Sequence, residues 1–126
     1  MTDGINNRVL KLSAKGFRGY PMATVAYYGP DESKATKVVV ALFRFDGSAA
    51  YPLERWFDDE HDMRLDENVT NRILGFIKEH GARSVAAVGK ILGCPHEEGK
   101  DYSEGEPCPM CPYWAGRDRW KGVKRR

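Results

Sequence analysis

The fold is decided by the stretch TKVVVALFRF, which occupies residues 36–45 of this 126-residue chain. Its β-branched and aromatic side chains form a nearly continuous apolar run, which is typical of a strand at the centre of a sheet. Asp46 and Gly47 follow at once, and this dipeptide favours a tight hairpin turn because both central residues of such a turn adopt positive φ. Residues 49–57 then return as the partner strand. Pro52 places that strand toward the sheet edge, because proline has no N–H to donate.

Other segments predict further strands. The segment RVLKLSA at residues 8–14 alternates in polarity, and MATVAYY at residues 22–28 is rich in β-branched and aromatic residues. Both patterns predict strands that precede the central one. The segment SVAAVGKIL at residues 84–92 fits either a strand or a helix, and its β-branched residues favour a strand.

A single amphipathic helix is predicted over residues 67–80. Asp66 suits the N-cap, and Gly81 follows where a left-handed residue commonly ends a helix. Apolar residues recur at helical spacing and form one stripe that is expected to pack on the sheet. The stripe consists of Val69, Ile73, Phe76 and Ile77. The sequence therefore predicts an α+β fold, with an antiparallel sheet of about four to five strands packed by this helix.

Composition predicts one ordinary globular domain over residues 1–126. The chain is 41% hydrophobic and 30% charged, and no apolar run reaches the roughly 18 residues that span a bilayer. Residues 1–15 lack the apolar stretch of a signal peptide. The three cysteines all lie within residues 94–111, whereas a disulfide framework would pair them and spread them along the chain. These features predict a reduced, cytoplasmic protein without a membrane partner.

Cys94, His96, Cys108 and Cys111 carry the clearest chemistry in the sequence. Zinc binds thiolate sulfur and imidazole nitrogen in tetrahedral geometry. Cys108 and Cys111 are spaced for a short turn around one ion, while Cys94 and His96 would project from one side of an extended segment. The polar loop between the two pairs has no apolar pattern to order it without a metal. The sequence therefore predicts a Zn²⁺ site, and disfavours an iron–sulfur cluster because such clusters usually use four thiolates.

The predicted metal site divides the chain into parts. The core covers residues 8–92, the zinc-binding segment residues 93–120 and a basic tail residues 121–126. Charge is segregated although the net charge is only +2. Residues 46–70 carry eight carboxylates and two arginines, whereas residues 115–126 carry six cations and one carboxylate. Such a distribution can steer a charged partner, and it also fits a solvated face and a loose tail.

The C-terminal metal pair is expected to lead into a short helix. Pro112 suits the first helical position, where the missing N–H is not needed. A cysteine pair before a helix resembles the second half of a treble-clef zinc finger. The resemblance is partial, because Pro112 replaces the usual glycine after Cys111 and the first ligand pair is Cys-x-His. The residues expected to contact a partner are Tyr113, Trp114, Arg117, Arg119 and Trp120.

The same stretch resembles the H-x-E…P-C-x-x-C signature of zinc nucleobase deaminases, through His96, Glu98 and the run PCPMC at residues 107–111. In those enzymes the histidine and two cysteines bind zinc, and the glutamate moves protons. Glu98 is too close to Pro107 for the crossover between half-motifs, which needs about a dozen residues. Cys94 would also fill the position of the catalytic water. The sequence therefore favours a protein without deaminase or hydrolase activity.

The whole C-terminal run, GCPHEEG…CPMCPYWAGRDR, resembles a zinc-binding signature, GCPHEEG…CPxCPxWAGRDR, of small uncharacterised bacterial proteins. That resemblance implies a bound metal and no particular activity.

Three functions fit these patterns. The leading one is a non-enzymatic, zinc-stabilised module that binds a protein through its C-terminal aromatic residues. The second is nucleic-acid binding through the basic, aromatic C-terminus, with bases stacked on tryptophan and phosphates bound by lysine and arginine. The third is a zinc enzyme in which Glu97 or Glu98 moves protons.

Overall fold

The structure is a computed structural model that describes residues 7–15, 19–96, 100–103, 105 and 108–114. In chain order these residues form α1 (Arg8–Ser13), β1 (Met22–Tyr28), β2 (Lys37–Phe43), β3 (Ala50–Phe57), a 3-10 helix (Met63–Leu65), α2 (Glu67–Glu79), β4 (Ser84–Ile91) and a second 3-10 helix (Pro112–Trp114). The fold is α+β, as predicted. None of the described helices is long and apolar enough to cross a membrane.

The four strands form one mixed sheet in the order β3-β2-β1-β4. β1 pairs with β2, and β2 with β3, in antiparallel register, whereas β4 lies parallel to β1. The prediction of a purely antiparallel sheet is therefore wrong. The reason is α2, which carries the chain back along the sheet after β3, so that β4 runs in the same direction as β3 and β1. The interior position of β2 and the edge position of β3 are confirmed.

Residues 8–14 do not form the predicted first strand, because most of them fold as α1. The Asn7 side chain accepts a hydrogen bond from the Leu10 N–H at 2.9 Å and so caps the helix. The Ser13 hydroxyl donates to the Ala87 carbonyl and accepts from the Ala87 N–H, each at 3.0 Å. Because β4 is an edge strand, these two bonds satisfy backbone groups that the sheet leaves unpaired. The short alternating segment is therefore a helix that covers a sheet edge.

The hydrophobic core lies between the helices and one face of the sheet. Asp66 caps α2 by accepting hydrogen bonds from the Asn68 and Val69 N–H groups, at 2.8 and 3.3 Å. Gly81 follows the helix with a φ of +65°, so both predicted helix ends are confirmed. The core cluster, which includes the whole predicted stripe, consists of Val9, Ala23, Val25, Tyr27, Ala35, Val38, Val40, Leu42, Met63, Val69, Ile73, Phe76, Ile77, Val85 and Ile91.

The predicted tight turn at Asp46 and Gly47 is wrong in length, because residues 44–49 all lie between β2 and β3. Gly47 does adopt a positive φ of +85°, as expected. The Ser48 hydroxyl oxygen accepts hydrogen bonds from the N–H groups of two preceding residues, at 3.0 and 3.3 Å. This side-chain bonding to the backbone supports a longer loop than the dipeptide alone would form.

Candidate metal centre

Strand β4 delivers the chain to the predicted metal site. Beyond the strand, the Leu92 N–H donates to the Tyr27 carbonyl and the Gly29 N–H donates to the Gly93 carbonyl, both at 2.9 Å. These bonds continue the pairing with β1 for a few residues. The sheet therefore fixes the position of the backbone immediately before Cys94.

The structure brings all four predicted metal ligands together. One ligand atom from each of Cys94, His96, Cys108 and Cys111 lies within 4.8 Å of the others. The three cysteines are 3%, 6% and 2% exposed in chain order, and the histidine is half-buried. Thiolate and imidazole donors that converge in this way can hold a metal ion.

The spacing of the ligand atoms suits tetrahedral coordination. His96 Nδ1 lies 3.2, 3.4 and 3.5 Å from the Sγ atoms of Cys94, Cys108 and Cys111. An ion bound at about 2.3 Å to sulfur and about 2.0 Å to nitrogen would separate those atoms by roughly 3.5 Å. All three sulfurs, including that of Cys94, are therefore at the distance that one shared ion requires.

Burial sets the chemistry of the thiols. It raises the pKa of Cys94, against the hydrogen bond that the His96 N–H donates to its sulfur at 3.2 Å, and the nearby thiols raise that pKa further. Burial likewise raises the pKa of Cys111. Because burial disfavours the thiolate forms of Cys94 and Cys111, a bound cation would stabilise these thiolates by taking the place of their protons. The sulfur-rich donor set suits a soft or borderline divalent ion.

Lys37 connects the sheet to the metal segment. Its side chain leaves β2, is only 4% exposed, and donates a hydrogen bond from Nζ to the Pro95 carbonyl at 2.9 Å. Pro95 lies between the first two ligands. The ammonium group also lies 5.7 Å from the Tyr28 ring centroid and 5.6 Å from that of Phe57, within the range of a cation–π interaction. The lysine therefore holds the ligand-bearing backbone against the sheet.

A cleft of about 660 Å³ opens beside the metal site, and His96 and Cys111 form part of its wall. Its volume falls within the roughly 300–1,000 Å³ of small-molecule sites. The charged residues that line it are Lys34, Lys37, Arg55, Asp59, Lys100 and Asp101. Sequence reasoning missed these residues, because they come from the sheet, its adjoining loops and the metal segment, which only the fold brings together.

The predicted partner-binding residues are only partly within the described chain. Pro112 begins a three-residue 3-10 helix, in which Tyr113 is half-buried, and the rest of the predicted short helix lies outside the described residues. The predicted residues outside the described chain are Arg117, Arg119 and Trp120, together with the glutamates of the enzyme hypothesis, Glu97 and Glu98. Their predicted roles stay predictions.

Comparison with known proteins matches the chain to no protein family, no curated protein and no solved structure. The resemblances to small bacterial proteins and to treble-clef fingers therefore stay predictions, as does the cytoplasmic location.

Proposed function

We propose that the chain is a zinc-stabilised binding module whose zinc ion is structural. The observation that carries the proposal is the convergence of three cysteine sulfurs and one histidine nitrogen within 4.8 Å. Sites of three cysteines and one histidine are among the common structural zinc sites of proteins. The expected stoichiometry is one zinc ion per chain.

Cys94 supports a structural rather than a catalytic role for the ion. Catalytic zinc keeps three protein ligands and one position open for water. Cys94 is 3% exposed, and its sulfur lies within 3.2 Å of His96 Nδ1, so it would occupy that fourth position. A closed coordination shell gives Glu98 no metal-bound water to deprotonate.

The zinc ion would stabilise a segment that has little apolar surface of its own. Around the three cysteines, Tyr102 is the only described apolar side chain that packs against the cluster. The free energy of zinc binding would then supply much of the folding free energy of this segment. In doing so it would hold one wall of the cleft in place.

The sequence predicts a protein as the partner of this module and nucleic acid as the alternative. The C-terminal aromatic residues do not decide between them, because Tyr113 is the one member of that set whose side chain is described. The rings and cations on the sheet face opposite the helices favour nucleic acid.

Native mass spectrometry of the full chain, purified under reducing conditions with zinc supplied, tests the proposal. We expect one zinc ion per chain, and we expect Cys94→Ser to lose it or bind it more weakly. Glu98→Gln is the control, since a residue that is not a ligand should leave zinc binding intact and change stability by less than about 0.5 kcal/mol. A wild-type chain that carries no metal contradicts the proposal.

A further inference from the structure

The sheet has a second face, opposite the helices, whose residues alternate with the core residues along β1, β2 and β3. The pairing places them in rows across the strands, such as Ala26, Val39 and Arg55, or Tyr28, Lys37 and Phe57. We call this surface the open face, because in the described part of the chain the helices pack on the other side. Its residues are Met22, Thr24, Ala26, Tyr28, Lys37, Val39, Ala41, Phe43, Leu53, Arg55 and Phe57. Of these, Arg55 and Phe57 are exposed, Lys37 and Ala41 are buried, and the other residues are half-buried.

The open face has an unusual composition for a sheet surface. A face that meets water is normally polar, and an acidic residue would be ordinary there. The open face carries three aromatic and two cationic side chains, and none of its eleven residues is acidic. Ala26 and Ala41, near the middle of the face, have small side chains that project little from the sheet. Flat ligands of negative charge are complementary to such a surface.

Two of the three aromatic rings, those of Tyr28 and Phe57, lie with both cations at one end of the open face, whereas Phe43 pairs with Met22 at the other end. Phe57 is 64% exposed, and Arg55 is exposed two residues earlier on the same strand. The buried Lys37 ammonium lies between the rings of Tyr28 and Phe57, within 5.7 Å of both centroids. Stacking rings beside positive charge are the features with which sheet surfaces bind single-stranded nucleic acid.

We propose that the open face binds single-stranded nucleic acid, with bases stacked on Phe57 and Tyr28 and phosphates close to Arg55. The cleft continues the surface past Phe57, and its lining adds the cations Lys34 and Lys100 together with the carboxylates Asp59 and Asp101. The proposal depends on the zinc-stabilised module only at the Phe57 end of the open face, where the metal segment forms one wall of the cleft. A protein partner would be expected to present carboxylates to the same cations, but the grouped rings favour bases.

Fluorescence anisotropy with labelled single-stranded DNA and RNA of about twelve nucleotides tests the proposal on the full, zinc-loaded chain. We expect binding that weakens steeply between about 50 mM and 200 mM salt. Phe57→Ala should weaken it at least about fivefold, since a stacking ring is lost. Arg55→Gln should weaken it and reduce the salt slope by about one, since a phosphate contact is lost.

Two variants on the helix side are matched controls. Arg72→Gln removes the charge of an exposed arginine on α2, and Leu65→Ala removes a side chain that is 65% exposed. Both should leave binding unchanged. Zinc content and circular dichroism are recorded for every variant, so that loss of the metal is distinguished from loss of the open face.

Three results would overturn the proposal. The first is no binding of either oligonucleotide at the lower salt concentration by a chain that carries zinc. The second is binding that the two open-face variants and the two controls affect equally, which would assign it to another surface. The third is a dimer in sedimentation that Phe57→Ala dissociates, which would make a second copy the occupant of the face.

Discussion

The Lys37 ammonium donates a hydrogen bond to the Pro95 carbonyl at 2.9 Å, which ties strand β2 to the backbone between two of the candidate metal ligands, Cys94 and His96. Groups that orient ligands in this way contribute to metal affinity, because they fix the donors before the ion binds. The metal segment is thus coupled to the core through a side chain that is itself only 4% exposed.

Lys37→Met should lower the affinity for zinc by about tenfold, because the ligand-bearing backbone loses its bond to the sheet. Lys34→Met is the matched control. It removes a lysine bond of the same length, 2.9 Å, to the Asp59 carbonyl, which is remote from the ligands in the sequence. Competition with a chelator measures both affinities. Equal affinities for the two variants would show that the Lys37 bond does not support the site.

Cys108→Ser should lose the zinc ion and unfold the metal segment while the sheet and α2 remain folded. The core cluster contains none of the metal ligands, so the sheet keeps its packing when the ion is lost. Met110→Ala, at a residue that is 54% exposed between two ligands, is the control and should keep the ion. Hydrogen exchange measures which segments of the variant keep their protection. If the whole chain loses protection together, the division into core and metal segment is wrong.

Asp62 should make the stability of the fold depend on pH. Burial acts to raise the pKa of its carboxyl, but hydrogen bonds from the Arg64 side chain and from the Ala35 N–H outweigh it and lower the pKa below its usual value. The ionised carboxylate therefore stabilises the fold above pH about 4, and this contribution is lost as the pH falls through the lowered folded-state pKa.

Asp62→Asn should lower the free energy of unfolding by about 3 kcal/mol at pH 7, because the Arg64 side chain, which is 6% exposed, loses its charged partner at 2.7 Å. The difference from wild type should shrink as the pH falls, since the wild-type carboxyl then becomes neutral as well. Asp59→Asn, at an exposed residue, is the control. Urea denaturation across the acid range measures this, and a difference that stays constant with pH would contradict the assignment.

Two glycine substitutions should change stability in opposite directions. A Cβ atom at Gly29 would overlap the Lys34 carbonyl oxygen, so Gly29→Ala should destabilise the fold by about 1–3 kcal/mol. A Cβ atom at Gly75 on α2 meets nothing within 4 Å, so Gly75→Ala should stabilise it by about 0.5–1 kcal/mol. Thermal denaturation ranks the variants. A Gly29→Ala chain as stable as the wild type would show that the turn before β2 relaxes freely.

The two pairs of candidate metal ligands, the strand β2 and both ends of α2 could be predicted from the sequence because each depends on local spacing. Cys108 and Cys111 are close in the chain, and the Asp66 cap acts within one helical turn. The edge position of β3 followed from Pro52, which lacks a backbone donor. These features need no knowledge of distant contacts.

The remaining features depend on contacts that local patterns do not encode. The segment at residues 8–14 is short enough for its alternation to fit a strand, and the Ser13 bonds to Ala87 that accompany the helix span 74 positions. The parallel pairing of β4 with β1 follows from the path of α2. In the sequence, Lys37 and Arg55 are ordinary polar residues within strands. Only the register of β1, β2 and β3 shows that they lie near Tyr28 and Phe57.

X-ray absorption at the zinc edge of the full, zinc-loaded chain shows whether three cysteines and one histidine close the coordination shell. We expect three sulfur atoms at about 2.3 Å and one nitrogen at about 2.0 Å, with no oxygen in the coordination shell. Two sulfur atoms with a nitrogen and an exchangeable water would contradict this expectation. That result would remove one cysteine from the coordination shell and leave the metal open for catalysis.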